Sequence, residues 1–431
     1  MSLPPGPRWP ASVQTVAFLG FRTPFMRMLV RRYGPAYTIR IHPGPRTIAT
    51  ISAPEHIKQV FAGDPRDFHA GEGNQVLRPV MGEHSVLLTD EAEHMRARKL
   101  LMPAFNGASL RGYRGLVESL AKEEVDRWHD GERLVTHERM NALTLEVILQ
   151  VVFGVTDEKT LGALRPRIRR MVEIGPTMFV GWIFPRLRSL GPWKRYFDNQ
   201  AAVDRILYAE IAARRQVSDL DARTDVLSRL LQVGVEGDLA PLTDAELRDQ
   251  LVTLLLAGHE TTASALSWTL YELGANPDVQ EEALRAADTG DDAFVEACLK
   301  EAMRRHPVID SVARRLTTPQ RVGPWDLPAG TVVSPSIAGA HFTYASFPEP
   351  ARFRPRRFLD DDIAPGTWIP FGGGVRRCLG AGFSLMEGTA VLKEILTRYR
   401  VSVDAEEVSV VRNITHVPEH GAVVTLHARS S

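Results

Sequence analysis

The sequence predicts a mainly α-helical protein with a smaller β-rich region. Three observations carry this reading. Apolar residues recur at helical spacing from Pro54 through most of the following ~250 residues. Thr243-Asp244-Ala245-Glu246 reads as a capping box, a hydroxyl and a carboxylate serving the first free N–H groups of a helix that runs to about Leu273. Alternating segments and turn residues gather before Pro54, after Arg314 and near the C-terminus.

In chain order, Leu3-Pro4-Pro5-Gly6-Pro7 is stiff and extended. The apolar stretch from Val16 to Leu29 is interrupted by Arg22, Pro24 and Arg27, too short and too charged to span a bilayer. It reads as an amphipathic segment, either packed on the body of the protein or lying on a membrane surface. Ala36–Ile41 and Thr47–Ser52, around the turn-like His42-Pro43-Gly44-Pro45, read as a β-hairpin. Helices are expected over Ala92–Phe105, Ala108–Trp128, Met140–Phe153 and Phe197–Gln216. Gly175–Trp193 carries Pro176, Pro185, Pro192, three glycines and several aromatics, and reads as a flexible apolar connection. Arg223–Leu231 reads as a short helix and Gly234–Pro241 as a loop. The capped helix of about 30 residues would extend roughly 45 Å at about 1.5 Å per residue, enough to cross a domain. Gly274 is expected to stop it and Asn276-Pro277 to start another. Ala381–Tyr399 is a further helix, followed by strands at Val408–Asn413 and Ala422–His427. No internal repeat, low-complexity tract or long linker appears. The expectation is one domain over 1–431, with β-rich parts at about 30–55, about 310–345 and the C-terminal strands, and helical parts at about 85–306 and 381–399.

The 431 residues are 44% hydrophobic and 24% charged, with 52 basic against 52 acidic side chains. That balance gives no sign of a nucleic-acid partner. Two cysteines, Cys298 and Cys378, exclude a disulfide framework and a Cys-rich zinc or iron–sulfur site, and fit a reducing cytoplasm. No signal peptide or transmembrane anchor is read at the N-terminus. Gly-x-Ser-x-Gly and His-Glu-x-x-His hydrolase motifs are absent.

The densest chemical signal is Phe371-Gly372-Gly373-Gly374-Val375-Arg376-Arg377-Cys378-Leu379-Gly380. Consecutive glycines let a backbone approach a flat partner closely. Arg376, Arg377 and the start of a helix put Cys378 in an electropositive setting that favours thiolate, a strong ligand for haem iron. Taken alone, the cysteine reads as a small buried hydrophobe. The spacing Phe-x-x-Gly-x-Arg-x-Cys-x-Gly, however, resembles the haem-binding signature of the cytochromes P-450.

That resemblance implies a triangular prism-like helical fold around a buried haem b (iron protoporphyrin IX) and a monooxygenase activity. Glu301-Ala302-Met303-Arg304 is similar to the family's Glu-x-x-Arg, and Phe353-Arg354-Pro355-Arg356-Arg357-Phe358 to its later motif. Glu301, Arg304 and Arg357 would then form a buried structural triad. Arg356 departs from the usual acidic residue. Ala257-Gly258-His259-Glu260-Thr261-Thr262 looks like the oxygen-activation groove, where Thr261 hydrogen-bonds dioxygen or a nearby water and Glu260 relays protons. His94, Arg98, Arg314 and Arg376 fall at the family's propionate-binding positions. Ala257, Gly258, Thr261, Phe371, Gly372, Leu379 and Gly380 would face the cofactor.

Two electrons must come from outside the chain, since no dinucleotide motif is present. A ferredoxin or flavodoxin-type donor with its reductase is implied. Arg352, Arg354, Arg356, Arg357, Arg376 and Arg377 offer a basic docking face, part of it already assigned inside. The chain would act as a monomer. Substrate-contacting positions of the family correspond to Met81, Val86, Phe179, Val180, Ile309, Val312 and the polar Asp310 and His416. Their character points to an apolar substrate of lipid, terpenoid, steroid or polyketide type. A haem-thiolate peroxygenase or isomerase is the alternative, disfavoured because members of that kind tend to lose the acid–threonine pair. A non-catalytic haem-binding protein is the other alternative.

Overall fold

In the computed structural model the described residues are 2–42, 46–154, 158–172, 185–236, 240–360, 363–412 and 414–429. Helices dominate from Pro54–Ala62 to Asp292–Arg305, and Ala381–Arg398 adds another. The N-terminal stretch folds as two short helices, Ala11–Gly20 and Arg22–Tyr33. Pro24 is tolerated because it falls in the first turn of the second helix, where no intrahelical N–H bond is lost.

The expected hairpin forms. Ala36–Ile41 pairs antiparallel with Arg46–Ile51, Ala36 opposite Ile51. These two strands open a five-stranded sheet in the order 36–41, 46–51, 332–335, 314–316, 68–69. The turn residues 43–45 lie outside the described residues. Near the C-terminus Ser409–Arg412 pairs with Thr415–Pro418, a strand that the sequence left as a loop. Val423–Ala428 runs between Arg133–Val135 and Tyr399–Ser402.

The long helix spans Asp244–Ala275. At its start Thr243 accepts from the Glu246 N–H while the Glu246 carboxylate accepts from the Thr243 N–H, the reciprocal box that the sequence predicts. Gly274 does not stop it. A Cβ there would lie 3.0 Å from Val403, so Gly274 serves a close approach, and the helix ends at Asn276 before Pro277. Its largest packing partner is the helix Thr136–Phe153, and most of its residues are buried. Around it lies the main apolar core, while a second cluster sits under the five-stranded sheet.

Other differences are of extent. Glu91–Leu101 passes into a 3₁₀ turn at Met102–Phe105, and Gly107–Val125 is capped by Asn106. Glu158–Val172 is a further helix, not among those expected from the sequence. Most of the Gly175–Trp193 connection lies outside the described residues, and the next helix begins at Gly191, not Phe197. Val226–Glu236 extends beyond the short helix expected. Among the described residues no helix is long and apolar enough to cross a membrane.

Candidate active site

Cys378 stands between the 3₁₀ turn Gly374–Arg376 and the helix Ala381–Arg398. The Cys378 N–H donates to the Phe371 carbonyl at 2.9 Å and closes the loop. The sequence assigned the glycines to a flat partner, and the structure assigns two of them differently. A Cβ on Gly373 would lie 2.3 Å from the Phe61 ring, and one on Gly374 2.1 Å from the Phe61 carbonyl oxygen. Those glycines admit the helix Pro54–Ala62. Gly372, at φ +67, faces open space.

Burial pushes the Cys378 thiol above its ordinary value, against the opposing pull of the Gly380 N–H, Arg98 and Arg377. This corrects the expectation that the electropositive setting alone favours thiolate: desolvation outweighs it. The same side chain is exposed. Enclosure by protein atoms and exposure coexist where a side chain lines an internal void. Cys298 is buried with no such opening.

Beside the thiol, basic side chains converge from three elements. His94 and Arg98 lie one turn apart on Glu91–Leu101, Arg314 on the strand Arg314–Leu316, and Arg376 in the 3₁₀ turn. The His94 ring is held down at about 3, first by burial and then by Arg376, Arg98 and Arg314. Burial with Arg376 as neighbour lowers Arg314 to about 10, and burial lowers Arg376 to about 10 and Arg98 in the same direction. Among the described residues the carboxylate facing this group is Asp90, which accepts from Arg376 at 2.5 Å and from the Gly71 and Glu72 N–H groups at 2.9 and 3.0 Å. Nearby His69 is answered by its own carboxylates, Glu72 and Glu91, each at 2.9 Å. Three guanidiniums against one carboxylate leave two positive charges unanswered. The two propionates of a haem b match that deficit, so the residues fit the group. Arg376 is not idle meanwhile: it also donates to the Val86 and Thr89 carbonyls at 3.1 and 2.6 Å.

On the long helix, Gly258 lets Thr136–Phe153 cross closely, since a Cβ would lie 2.9 Å from Ile148. Thr144 of that helix donates to the His259 carbonyl at 3.0 Å. The Thr261 hydroxyl donates to the Ala257 carbonyl at 2.9 Å. Ala257 is exposed and Thr261 half-buried, although Leu255, Leu256, His259 and Glu260 around them are buried. That pattern, halfway along a helix through the core, marks a face open to interior space. Thr262 meets Ser384 at 3.1 Å and ties the groove to the helix that follows Cys378. Burial raises the Glu260 carboxyl to about 7, tempered by Arg412 and a hydrogen bond from Thr415.

The triad is assembled as expected. Arg304 donates to Glu301 at 2.8 and 3.0 Å, and Arg357 at 3.1 Å, all three side chains being fully buried. Carbonyls of His341, Pro350 and Pro348 take further guanidinium protons at 2.8–3.1 Å. No motif in the sequence pointed to His341. Its Nε2 accepts from the Ile369 N–H at 2.9 Å, which couples the triad to the start of the cysteine loop.

The substrate positions divide. Met81 and Val86 are buried, and Ile309 and Val312 are partly buried against the apolar cluster under the sheet. Asp310 pairs with Arg22 at 3.0 Å and lies 3.2 Å from His416. Burial would raise the Asp310 carboxyl, but His416 and Arg22 outweigh it and hold it at about 2. The two polar candidates therefore answer each other. Phe179 and Val180 lie outside the described residues. Leu379 and Phe371 pack at the edge of the main core.

A family model described as Cytochrome P450 matches residues 4–423. Two Mycobacterium tuberculosis proteins with provisional names are similar along their lengths. Cytochrome P450 135A1 is 55% identical over 98% of this chain and 95% of its own. Cytochrome P450 135B1 is 39% identical over 99% and 92%. A solved structure titled as retinoic acid bound cyanobacterial CYP120A1 superposes with a TM-score of 0.85, covering 99% of both chains at 22% identity, which speaks for the fold alone.

Proposed function

The chain belongs to the cytochrome P450 family, a family of haem-thiolate monooxygenases that bind haem b, and from that premise we propose how its own residues serve the reaction. The reading is insertion of one oxygen atom from dioxygen into an apolar organic substrate of lipid, terpenoid, steroid or polyketide type. Electrons would come from a separate ferredoxin or flavodoxin-type donor and its reductase. The observation that carries it is the pairing of an exposed Cys378 thiol in the protein interior with a cationic pocket short of two carboxylates.

When bound, haem b supplies the activation of dioxygen. Cys378 offers the sulfur ligand. Arg98, Arg314 and His94 hold the propionates, and Arg376 joins them from its anchorage on Asp90. Because the Thr261 proton is committed to the Ala257 carbonyl, the lone pairs of Thr261 Oγ1 are free to accept from a water in the groove. Glu260, with its carboxyl at about 7, holds a proton below neutrality and releases it above, the range that a relay requires. Met81, Val86, Ile309 and Val312 support an apolar substrate.

The basic docking face is narrower than the arginine count implies. Arg357 is buried in the triad, Arg356 pairs with Glu282 and Asp360, and Arg352 lies 3.7 Å from Glu349. Arg377, exposed next to Cys378, supports docking of an acidic donor best.

The test is spectroscopic and then chemical. The reduced, carbon-monoxide-bound protein should give the thiolate-type Soret band, and Cys378→Ala should abolish it; a persisting band would remove Cys378 as ligand. Thr261→Ala should consume electrons without matching product. Unchanged coupling would take Thr261 out of the mechanism.

A further inference from the structure

The first 54 residues contain seven arginines and no aspartate or glutamate. Among the described residues, Arg22 is the one of the seven that pairs with a carboxylate, Asp310. The others have no carboxylate partner among the described residues. Arg8, Arg27, Arg31 and Arg32, together with Trp9 and Tyr33, line an open groove of about 1430 Å³ between the Pro5–Trp9 segment and the helix Arg22–Tyr33. Arg27, Val30 and Arg31 are exposed at i, i+3 and i+4, so they share one outward face, while Phe25 and Leu29 bury the other.

The neighbouring helix Ala11–Gly20 turns large apolar side chains outward. Val13, Val16 and Leu19 repeat every third residue and so lie along one face, and Val16, Leu19 and the corner residue Phe21 are 65%, 73% and 65% exposed. Scattered exposed apolar residues are ordinary. Three on one face of a ten-residue helix, continued by Phe21 and flanked by unpaired arginines and a half-exposed tryptophan, are not.

We propose that this helix pair docks the folded protein on the surface of an anionic phospholipid bilayer. Val13, Val16, Leu19 and Phe21 enter below the headgroups, Trp9 sits at headgroup level, and Arg8, Arg27, Arg31 and Arg32 hold lipid phosphates in the groove. The charge selects an anionic partner, and the apolar face selects a lipid surface over an acidic protein or a nucleic acid, neither of which needs it. Arg22, the inward member of the pair, holds Asp310 between Ile309 and Val312. The docking element is thereby fastened to a segment read above as substrate-lining.

The experiment sediments the haem-loaded full-length protein with vesicles of phosphatidylcholine, alone or mixed with phosphatidylglycerol. Binding is expected to the mixed vesicles and to weaken with salt. Arg27→Gln with Arg31→Gln should lower partitioning about 25-fold, from about fivefold per arginine. Leu19→Ser with Phe21→Ser should lower it at least about tenfold. Quenching of the wild-type fluorescence by lipid-borne quenchers, reduced in Trp9→Phe, reads insertion without disturbing the helices. Failure of the wild type to bind anionic vesicles overturns the proposal. So does capture by a soluble polyanion without vesicle binding, or full binding by the Leu19/Phe21 variant.

Discussion

Replacing Glu260 with glutamine removes a carboxyl that burial holds at about 7, and the effect on stability has a definite sign and pH window. In the unfolded chain the group titrates at its ordinary 4.5. Below 4.5 both states carry the proton and Glu260 contributes nothing. Between 4.5 and about 7 the folded chain keeps a proton that the unfolded chain has released, so stability falls as pH rises. Above about 7 the whole penalty is present, about 3 kcal/mol at about 1.4 kcal/mol per pH unit. Glutamine has the same shape, accepts the Thr415 hydroxyl and carries no charge. Glu260→Gln should therefore exceed the wild type by about 1 kcal/mol at pH 5.5 and about 3 kcal/mol at pH 8. Urea unfolding of the haem-loaded proteins, compared pairwise at each pH, reads the difference. An infrared carbonyl band of the protonated carboxyl, present at pH 6, fading by pH 8 and absent from the variant, reads the proton itself. The same variant should lose product formed per electron, because an amide cannot hold and release a proton. A stability difference equal at the two pH values would mean that Glu260 ionises as an ordinary carboxylate, and the relay would lose its basis.

Arg314→Leu removes one uncompensated buried charge: the haem-free chain should gain stability, while haem loss to a scavenger quickens about ten- to a hundredfold, the worth of a charge-assisted hydrogen bond. Glu301→Gln leaves Arg304 and Arg357 buried without a counter-charge and should cost about 3–5 kcal/mol in urea unfolding. Gly373→Ala meets the Phe61 side chain and should be relieved by Phe61→Ala, whereas Gly374→Ala meets the Phe61 backbone carbonyl and should not; equal rescue of haem incorporation in both would refute the assignment. His341 is lowered to about 3, chiefly by burial and then by Arg304, from an unfolded value of 6.5. It must stay neutral in the fold, so its contribution is complete above 6.5 and is lost as pH falls toward 3, about 4–5 kcal/mol in all. His341→Gln should flatten that acid limb in a pH series of unfolding midpoints.

What the sequence made legible was whatever one element carries by itself. The capping box at Thr243 is local chemistry and was read correctly. So were the hairpin of Ala36–Ile41 and the spacing of Glu301 and Arg304 on one helix face. Contacts between distant segments were not legible without the family resemblance. Nothing in the residues of Arg376 says that Asp90 lies 2.5 Å away, or that His341 will accept from Ile369. Asp310 and His416 read as free polar groups because Asp310 finds its partners far along the chain, Arg22 lying 288 positions upstream and His416 coming from a C-terminal strand. Gly274 was mistaken for a helix stop because its real constraint, Val403, comes from the far end of the chain. The thiol of Cys378 was misjudged for the same reason: charge neighbours can be counted along the chain, but desolvation depends on everything that folds around it.

The features that look unfavourable in the site have one explanation in common. Arg314 and Arg376 are buried against each other's charge, His94 is stripped of its proton, and the Cys378 sulfur is kept neutral. Each costs stability in the chain alone. A core selected only for stability would replace such groups with apolar side chains. They lie together, around a thiol that is open on one side and beneath a helix whose Ala257–Thr261 face is open as well. A dianionic planar group entering that space would answer the two spare positive charges, and its metal would take the sulfur in place of a proton. The triad differs: Glu301 accepts from Arg304 and Arg357, and backbone carbonyls take further guanidinium protons, with Arg357 Nη2 alone left over. The triad's electrostatics involve no ligand: two guanidiniums share one carboxylate and backbone carbonyls, and so join the segments around the cysteine loop. The pocket's are open and are completed by the cofactor, which is why haem affinity and apoprotein stability should respond in opposite directions to the loss of Arg314 and in the same direction to the loss of Glu301.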